Sequence, residues 1–433
     1  LASNTSPQNI SAAVHCEKNR LLTILTKYLV TAPAQQTTSI SFSRSGFVAE
    51  RATPLSAAAG YQWLLLGCAA GLYLPLIFTG PGSDPDSLRE LRSGATLLWQ
   101  HRYILSRPPG YFPYEGLCGV LYALGGSVAS NFATVLMSLA ALDSFLHICA
   151  HFEVPHRYLL TAIMAVHPVY WASSASTIDF LWALGCFLVG FRWWLNDRYF
   201  SAAAMLGLAV GIRLSSVFLT GPLLLWALFE KPWSLRPWGA AALATAIGLA
   251  LYLPEFISSG NSLSFLTYYP GAWNMQGEIG RFIYKNVYFW GLPATIFLLA
   301  IVPMTITGLI GSERKFSPII VLSVSVVILF EALFLKLPVQ RAYLLPMLPF
   351  ALILLGITLS DRKPWLLAML LMVFSYNFIN LNLARPDIVD HATRAHAGIF
   401  IEPGYLLADI GARLKIPRDQ ILDSNPQASE RTR

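Results

Sequence analysis

The sequence predicts an all-α polytopic membrane protein of about eleven transmembrane helices, with an outer-face loop and interfacial helices after the first span. Three observations carry this. Hydrophobic residues make up 55% of the 433 residues and charged residues 12%, about half the charged fraction of soluble domains. Apolar runs of membrane-spanning length recur along most of the chain. The surplus of Lys and Arg, a net charge of +7, sits largely in short loops, where it sets orientation. No basic cluster with interleaved aromatics marks a nucleic-acid groove. The expected partner is therefore the bilayer and not nucleic acid.

Residues 1–56 read as a cytoplasmic, largely disordered tail rich in Ser, Thr, Ala and Gln. A short surface helix is expected within it, from Arg20 to Val30. The chain opens on Leu1 rather than Met, so a start upstream is expected. Residues 57–381 form the expected transmembrane domain, and 382–433 a small outer-face appendage with a helix around Tyr405 to Lys415.

The first span is 57–79, and a polar loop, 80–113, follows it. Tyr114 to Gly125 is apolar but only about a dozen residues long, too short to cross a core of about 30 Å. It reads as an interfacial or re-entrant helix. Spans follow at 131–150, 157–172 and 177–195. The stretch 202–229 is long for one helix and short for two, with Arg213 in the middle and Pro222 beyond it. Further spans are 236–256, 286–310, 316–335, 341–360 and 364–381, with 257–285 a polar, aromatic-containing loop.

Charge chooses between the two readings of 202–229. If it is a hairpin, one face collects Arg157, Arg192 and Arg198, Lys231 and Arg236, Arg314 and Lys315, and Arg362 and Lys363. A single span would move three of those loops to the other face. The hairpin reading puts the N-terminus in the cytoplasm and the C-terminus outside. It also gathers the 80–113 loop, His167, Asp179, the hairpin tip at Arg213 and the segment from Lys336 to Arg341 on the outer face. Trp193, Trp194, Trp233 and Trp238 read as an interfacial aromatic belt. The five cysteines have no metal or redox spacing and read as small buried hydrophobes.

Two carboxylates, Asp84 and Asp86, stand in the first outer loop of a chain that otherwise avoids charge. In an extended loop, residues two apart share a side. One acid can then act as general base on an acceptor while its neighbour positions the acceptor or holds a divalent metal. The plainer alternative is an Asp-Pro turn. Arg107, Arg213 and Arg341 suit an anionic head group, because guanidinium binds phosphate in bidentate fashion. Arg213 falls at membrane depth, where a cation faces a polar cavity or an anion. Tyr111, Glu115, His167 and Asp179 complete the candidates. For Glu115 and Asp179 a helix-terminal role competes with a functional one.

The order of these features resembles the GT-C-fold glycosyltransferases. Within them it is most similar to the branch of protein O-mannosyltransferases and aminoarabinose transferases. The motifs are the acidic loop, Arg107-Pro108-Pro109-Gly110-Tyr111 before a short apolar helix, His167-Pro168 followed by Asp179, Gly207 to Arg213 followed by Pro222, and Arg341 to Pro349. The resemblance covers residues 57–381. It implies transfer of a sugar from a polyprenyl-phosphate donor to a glycan, lipid or protein acceptor on the outer face of a prokaryotic inner membrane. The base is carried first to Asp86 and second to Asp84. Arg213 and Arg341 would contact the carrier phosphate. The chain departs from the family pattern at Pro85 between the acids, at Arg107 where His is common, and at Asn131 where Arg is common. A transporter or flippase of a lipid-linked or anionic substrate is the rival reading. Another envelope enzyme acting on lipid-linked glycans and a noncatalytic relative also stay open.

Overall fold

The computed structural model describes residues 55–230, 233–263, 275–311, 317–359, 364–375, 379–389 and 392–415. The N-terminal tail with its expected helix, and the loops of Lys231, of Arg314 and Lys315, and of Arg362 and Lys363, lie outside them. So does all of the chain after Lys415.

Helix α1, Leu55–Tyr73, continues as a 3-10 turn, Leu74–Phe78. The expected polar loop is instead largely helical. Helix α2, Pro85–Gln100, starts with Asp84 as N-cap, its carboxylate accepting the Asp86 N–H at 3.0 Å, and with Pro85 in the first turn. Cap, proline and first-turn acid are together a strong helix start. The two acids are thus a cap and a first-turn residue, not alternate residues of an extended loop.

Helix α3, Phe112–His151, holds the expected short helix and the following span in one run, broken at Gly125 and Gly126. It crosses α2 at backbone contact. A Cβ on Gly94 would meet the Glu115 carbonyl oxygen at 2.2 Å, and one on Gly119 would meet that of Gly94 at 2.4 Å. Gly94→Ala is therefore expected to lower stability by about 1–3 kcal/mol through overpacking. Gly116→Ala, whose Cβ would meet only Leu97 Cδ2 at 3.5 Å, should leave the thermal midpoint in detergent nearly unchanged. Equal midpoints for the two variants would contradict the packing.

The expected span 157–172 breaks at His167 into α4, Arg157–Val166, and α5, Pro168–Ser173, because Pro168 cannot donate to the preceding turn. Helix α6 is Asp179–Leu195. The 202–229 stretch is indeed two helices, α7, Tyr199–Ile212, and α8, Val217–Glu230, with Arg213 in extended backbone between them. Next come α9, Leu235–Ala250, and α10, Leu253–Ser258. The 257–285 loop is shorter than expected, since α11 runs Met275–Trp290. Its polar residues Glu278, Arg281 and Lys285 are spaced three and four apart, as one face of a helix requires. Helix α12 is Leu292–Gly311; its apolar part bends by 99° from α11 beside Gly291.

Helix α13 is Pro318–Lys336, and α14, Leu348–Thr358, is preceded by a 3-10 stretch, Arg341–Met347. Helix α15 is Pro364–Ser375. One antiparallel hairpin departs from the all-α expectation: β1, Ile379–Val389, pairs with β2, Ala392–Pro403. The expected C-terminal helix is α16, Tyr405–Arg413.

The protein is multi-pass. Among the described residues five helices are long and apolar enough to cross a membrane, or six if the bent pair is one span. Among the described residues this count falls short of the expected eleven, and breaks at His167, Arg213 and Gly291 leave several shorter apolar helices. Trp233 and Trp238 are exposed as a belt requires, whereas Trp194 is buried edge-on to Tyr199. Cys118, Cys149 and Cys186 are buried free thiols.

Candidate active site

The start of α2 lies against the start of α6, the Arg213 break and the segment before α14. Asp86 is 6% exposed and accepts from Gln340 Nε2 at 2.9 Å. It also pairs with Arg89 at 3.0 Å and Arg107 at 3.3 Å. One turn on, the fully buried Glu90 sits 2.8 Å from the same Arg107 nitrogen. The other Arg107 nitrogen reaches Asp179 at 3.0 Å, whose second oxygen holds Arg213 at 2.6 Å. Two guanidiniums thus share one buried carboxylate, a pairing that offsets the cost of burying each charge. Aromatic faces complete the clamp. Arg213 lies 3.8 Å from the Phe180 ring centroid and 4.6 Å from that of Tyr343, while Tyr111 faces Arg107 at 4.6 Å.

Gly110 explains its place in the Pro-Pro-Gly-Tyr motif. Its φ is +97°, and a Cβ there would strike Glu255 Cγ at 2.3 Å. Glu255 accepts from the Phe112 N–H at 2.9 Å and from the Tyr103 hydroxyl at 3.2 Å, tying the motif to α10. Asn131 occupies a structural post. It donates to the carbonyls of Ile77 and Gly80 and accepts from Thr177, which joins the α1 exit to the α6 entrance.

Beside this network is a cavity of about 220 Å³. Asp84, Lys285, Gln340, Arg341, Tyr405 and Asp409 are among its lining residues. Asp84 is half-buried and accepts from Gln340 at 3.3 Å. Burial first, and the Asp86 charge second, push its carboxyl above the usual range. Burial also holds Glu90 well above that range, against the pull of Arg107. The Arg341 guanidinium carbon lies 3.7 Å from the Tyr405 ring centroid and 4.3 Å from that of Tyr288, two rings set edge to face. Among the described residues neither Arg341 nor Lys285 forms an ion pair with a carboxylate.

The candidates therefore divide. Asp84 and Arg341 line the cavity. Asp86, Arg107, Tyr111, Asp179 and Arg213 form the adjoining buried network. Glu115 does not line the cavity; it accepts from Ser93 Oγ at 2.9 Å and the Ser106 N–H at 3.1 Å. Nor does His167, buried among Phe289, Trp290 and Phe374. Among the described residues no group of three or more His, Cys, Asp or Glu side chains is placed to hold a metal ion. The cations that Asp86, Glu90 and Asp179 face are guanidiniums. Sequence reasoning missed Glu90, Lys285, Gln340, Tyr405 and Asp409. The one available signal was the helical spacing of Ser83 or Asp86 to Glu90 and of Lys285 to Tyr288.

No family model and no curated protein sequence matches the chain. Its backbone has the GT-C-like membrane fold. It is similar to the crystal structure of ArnT from Cupriavidus metallidurans in the apo state, with a TM-score of 0.52 and 17% identity over 73% of this chain and 63% of that one. The structure of the same ArnT bound to undecaprenyl phosphate gives a TM-score of 0.51 and 16% identity over the same shares. The chain thus spans 63% of the length of ArnT. At such identity the likeness is one of fold.

Proposed function

We propose that the protein is an integral-membrane glycosyltransferase that moves a sugar from a polyprenyl-phosphate donor to a hydroxyl or amine acceptor. The carrying observation is the cavity itself, where one carboxylate of raised proton affinity, Asp84, shares the lining with two cations, Lys285 and Arg341, that form no ion pair with a carboxylate among the described residues. The ArnT fold, seen elsewhere with undecaprenyl phosphate bound, supports a lipid-phosphate donor.

Asp84 is the base in this reading, ahead of Asp86, which is engaged by Arg89, Arg107 and Gln340. The acceptor O–H or N–H loses its proton to the Asp84 carboxylate. The acceptor atom bonds to the anomeric carbon as the bond from that carbon to the phosphate oxygen breaks. The electron pair leaves with the polyprenyl phosphate, whose charge Arg341 and Lys285 stabilise. Arg213 and Arg107, held by Asp179 and Glu90, act as scaffold. The charge of the loops supports an outer-face site, with residues 1–56 cytoplasmic.

Arg341→Gln is expected to raise the KM for the donor about ten-fold or more with a smaller effect on the acceptor. An unchanged donor KM would remove Arg341 from the phosphate site. Broken helices at Arg213 and Gly291 also suit a transporter. Flux of intact lipid-linked substrate through liposomes without donor cleavage would favour that reading.

A further inference from the structure

Helix α16 reaches the cavity from more than sixty residues beyond Arg341, and it brings two side chains into the lining, Tyr405 and Asp409. It is fixed there by charge in a buried setting. Arg413, 3% exposed, pairs with Asp409 at 2.6 Å. It donates to the Ala175 carbonyl at 2.7 Å, the Ala172 carbonyl at 2.8 Å and Thr79 Oγ1 at 3.2 Å, and also to Ser176 Oγ. Asp409 accepts in addition from the Ser83 hydroxyl, next to Asp84. A surface helix that merely trails a membrane domain has no need of a buried guanidinium that satisfies acceptors on three segments.

At the other end of the helix, the Tyr405 ring centroid lies 3.7 Å from the Arg341 guanidinium carbon, with that of Tyr288 4.3 Å away on an adjacent side. The two rings meet edge to face at 6.2 Å. Among the described residues Arg341 forms no ion pair with a carboxylate; the two rings flank it, and the Tyr405 side chain also hydrogen-bonds to it. A guanidinium positioned beside aromatic rings can still offer its remaining N–H groups to an anion.

We propose that α16 is a working part of the phosphate site: Tyr405 is a positioning residue for Arg341, and the Asp409–Arg413 pair is the latch that keeps Tyr405 there. This rests on the reading of Arg341 as a phosphate ligand. Removing the ring lets the guanidinium leave the orientation that faces the cavity, and the loss appears in donor binding rather than in the chemical step.

The test uses the full chain in detergent micelles with a polyprenyl phosphate that carries no sugar. Tyr405→Ala should weaken its binding about ten-fold, while Tyr405→Phe, which keeps the ring, stays within about two-fold of wild type. In turnover with a lipid-linked sugar, Tyr405→Ala should raise the donor KM with kcat nearly constant. Asp409→Asn should follow Tyr405→Ala in direction and, because the buried Arg413 loses its carboxylate, should also lower the thermal midpoint. Equal affinity of wild type and Tyr405→Ala would overturn the proposal, and so would a Tyr405→Phe as weak as Tyr405→Ala. Wild-type protein that binds the polyprenyl phosphate but consumes no lipid-linked sugar would sink the transfer reading alone and leave this one in place.

Discussion

Asp84→Asn is expected to reduce sugar transfer by about 10²- to 10⁴-fold, the usual contribution of a positioned general base. The substitution keeps an oxygen to cap α2, where the Asp84 side chain accepts the Asp86 N–H. Folding should therefore survive, and an asparagine cap is as good as an aspartate. The loss should appear in kcat with a smaller change in donor KM, because the phosphate ligands are untouched. The pH profile carries a second signature. Transfer needs Asp84 without its proton, and burial together with Asp86 raises its proton affinity. The acid limb of kcat/KM should thus lie above the usual aspartate value of about 3.9. Asp86→Asn removes one of the charges that raise Asp84, so it should move that limb to lower pH while transfer persists at a reduced rate. Retained transfer in Asp84→Asn together with its loss in Asp86→Asn would return the base to Asp86.

The second large effect is on stability. Asp179→Leu leaves Arg213 and one end of Arg107 without their carboxylate in a site where Asp179 is fully buried. Removing one partner of a buried pair costs about 3–5 kcal/mol. A marginally stable protein then fails to accumulate or unfolds well below the wild-type temperature. Asp179→Asn, which keeps shape and one acceptor but not the charge, should fall between the two in thermal midpoint. Arg213 is the better-buried partner, so a second substitution, Arg213→Met, should restore part of what Asp179→Leu loses. A wild-type midpoint in Asp179→Leu would mean that the Arg107–Asp179–Arg213 chain is not what holds the loop before α3, the start of α6 and the end of α7 together.

Much of the membrane architecture was legible because its signals are local. The isolated Arg213 within an apolar stretch announces a helix break, and it occurs where expected, whereas the break at Pro168 divides the span expected over 157–172. The short apolar helix at Tyr114 ends at a glycine pair that a linear reading sees directly. The helices that escaped, α2 and the first half of α11, mix polar and apolar residues at helical spacing. Their mean polarity is that of a loop, and only their periodicity separates them from one. The candidate site was legible in part. Asp84, Asp86, Arg107, Asp179, Arg213 and Arg341 do meet around one region. Their division into cavity and scaffold depends on which carboxylate each arginine finds, and that is decided by folding. Tyr405, Asp409 and Arg413 were hidden for a related reason. Ser83 and Asp409 bond across 326 positions, and no spacing rule reaches that far. In the other direction, Glu115 and His167 stood out as polar residues at helix ends, yet their local surroundings absorb them.

The most direct measurement is incubation of the purified full chain with a panel of polyprenyl-phosphate-linked sugars and a mixed pool of glycan, lipid and peptide acceptors, following the donor. Loss of at least one donor with release of free polyprenyl phosphate, and no such loss with Asp84→Asn, is the predicted result. Intact donors throughout, with the same lipid-linked substrates carried across liposome membranes by the wild-type protein, would contradict a transferase.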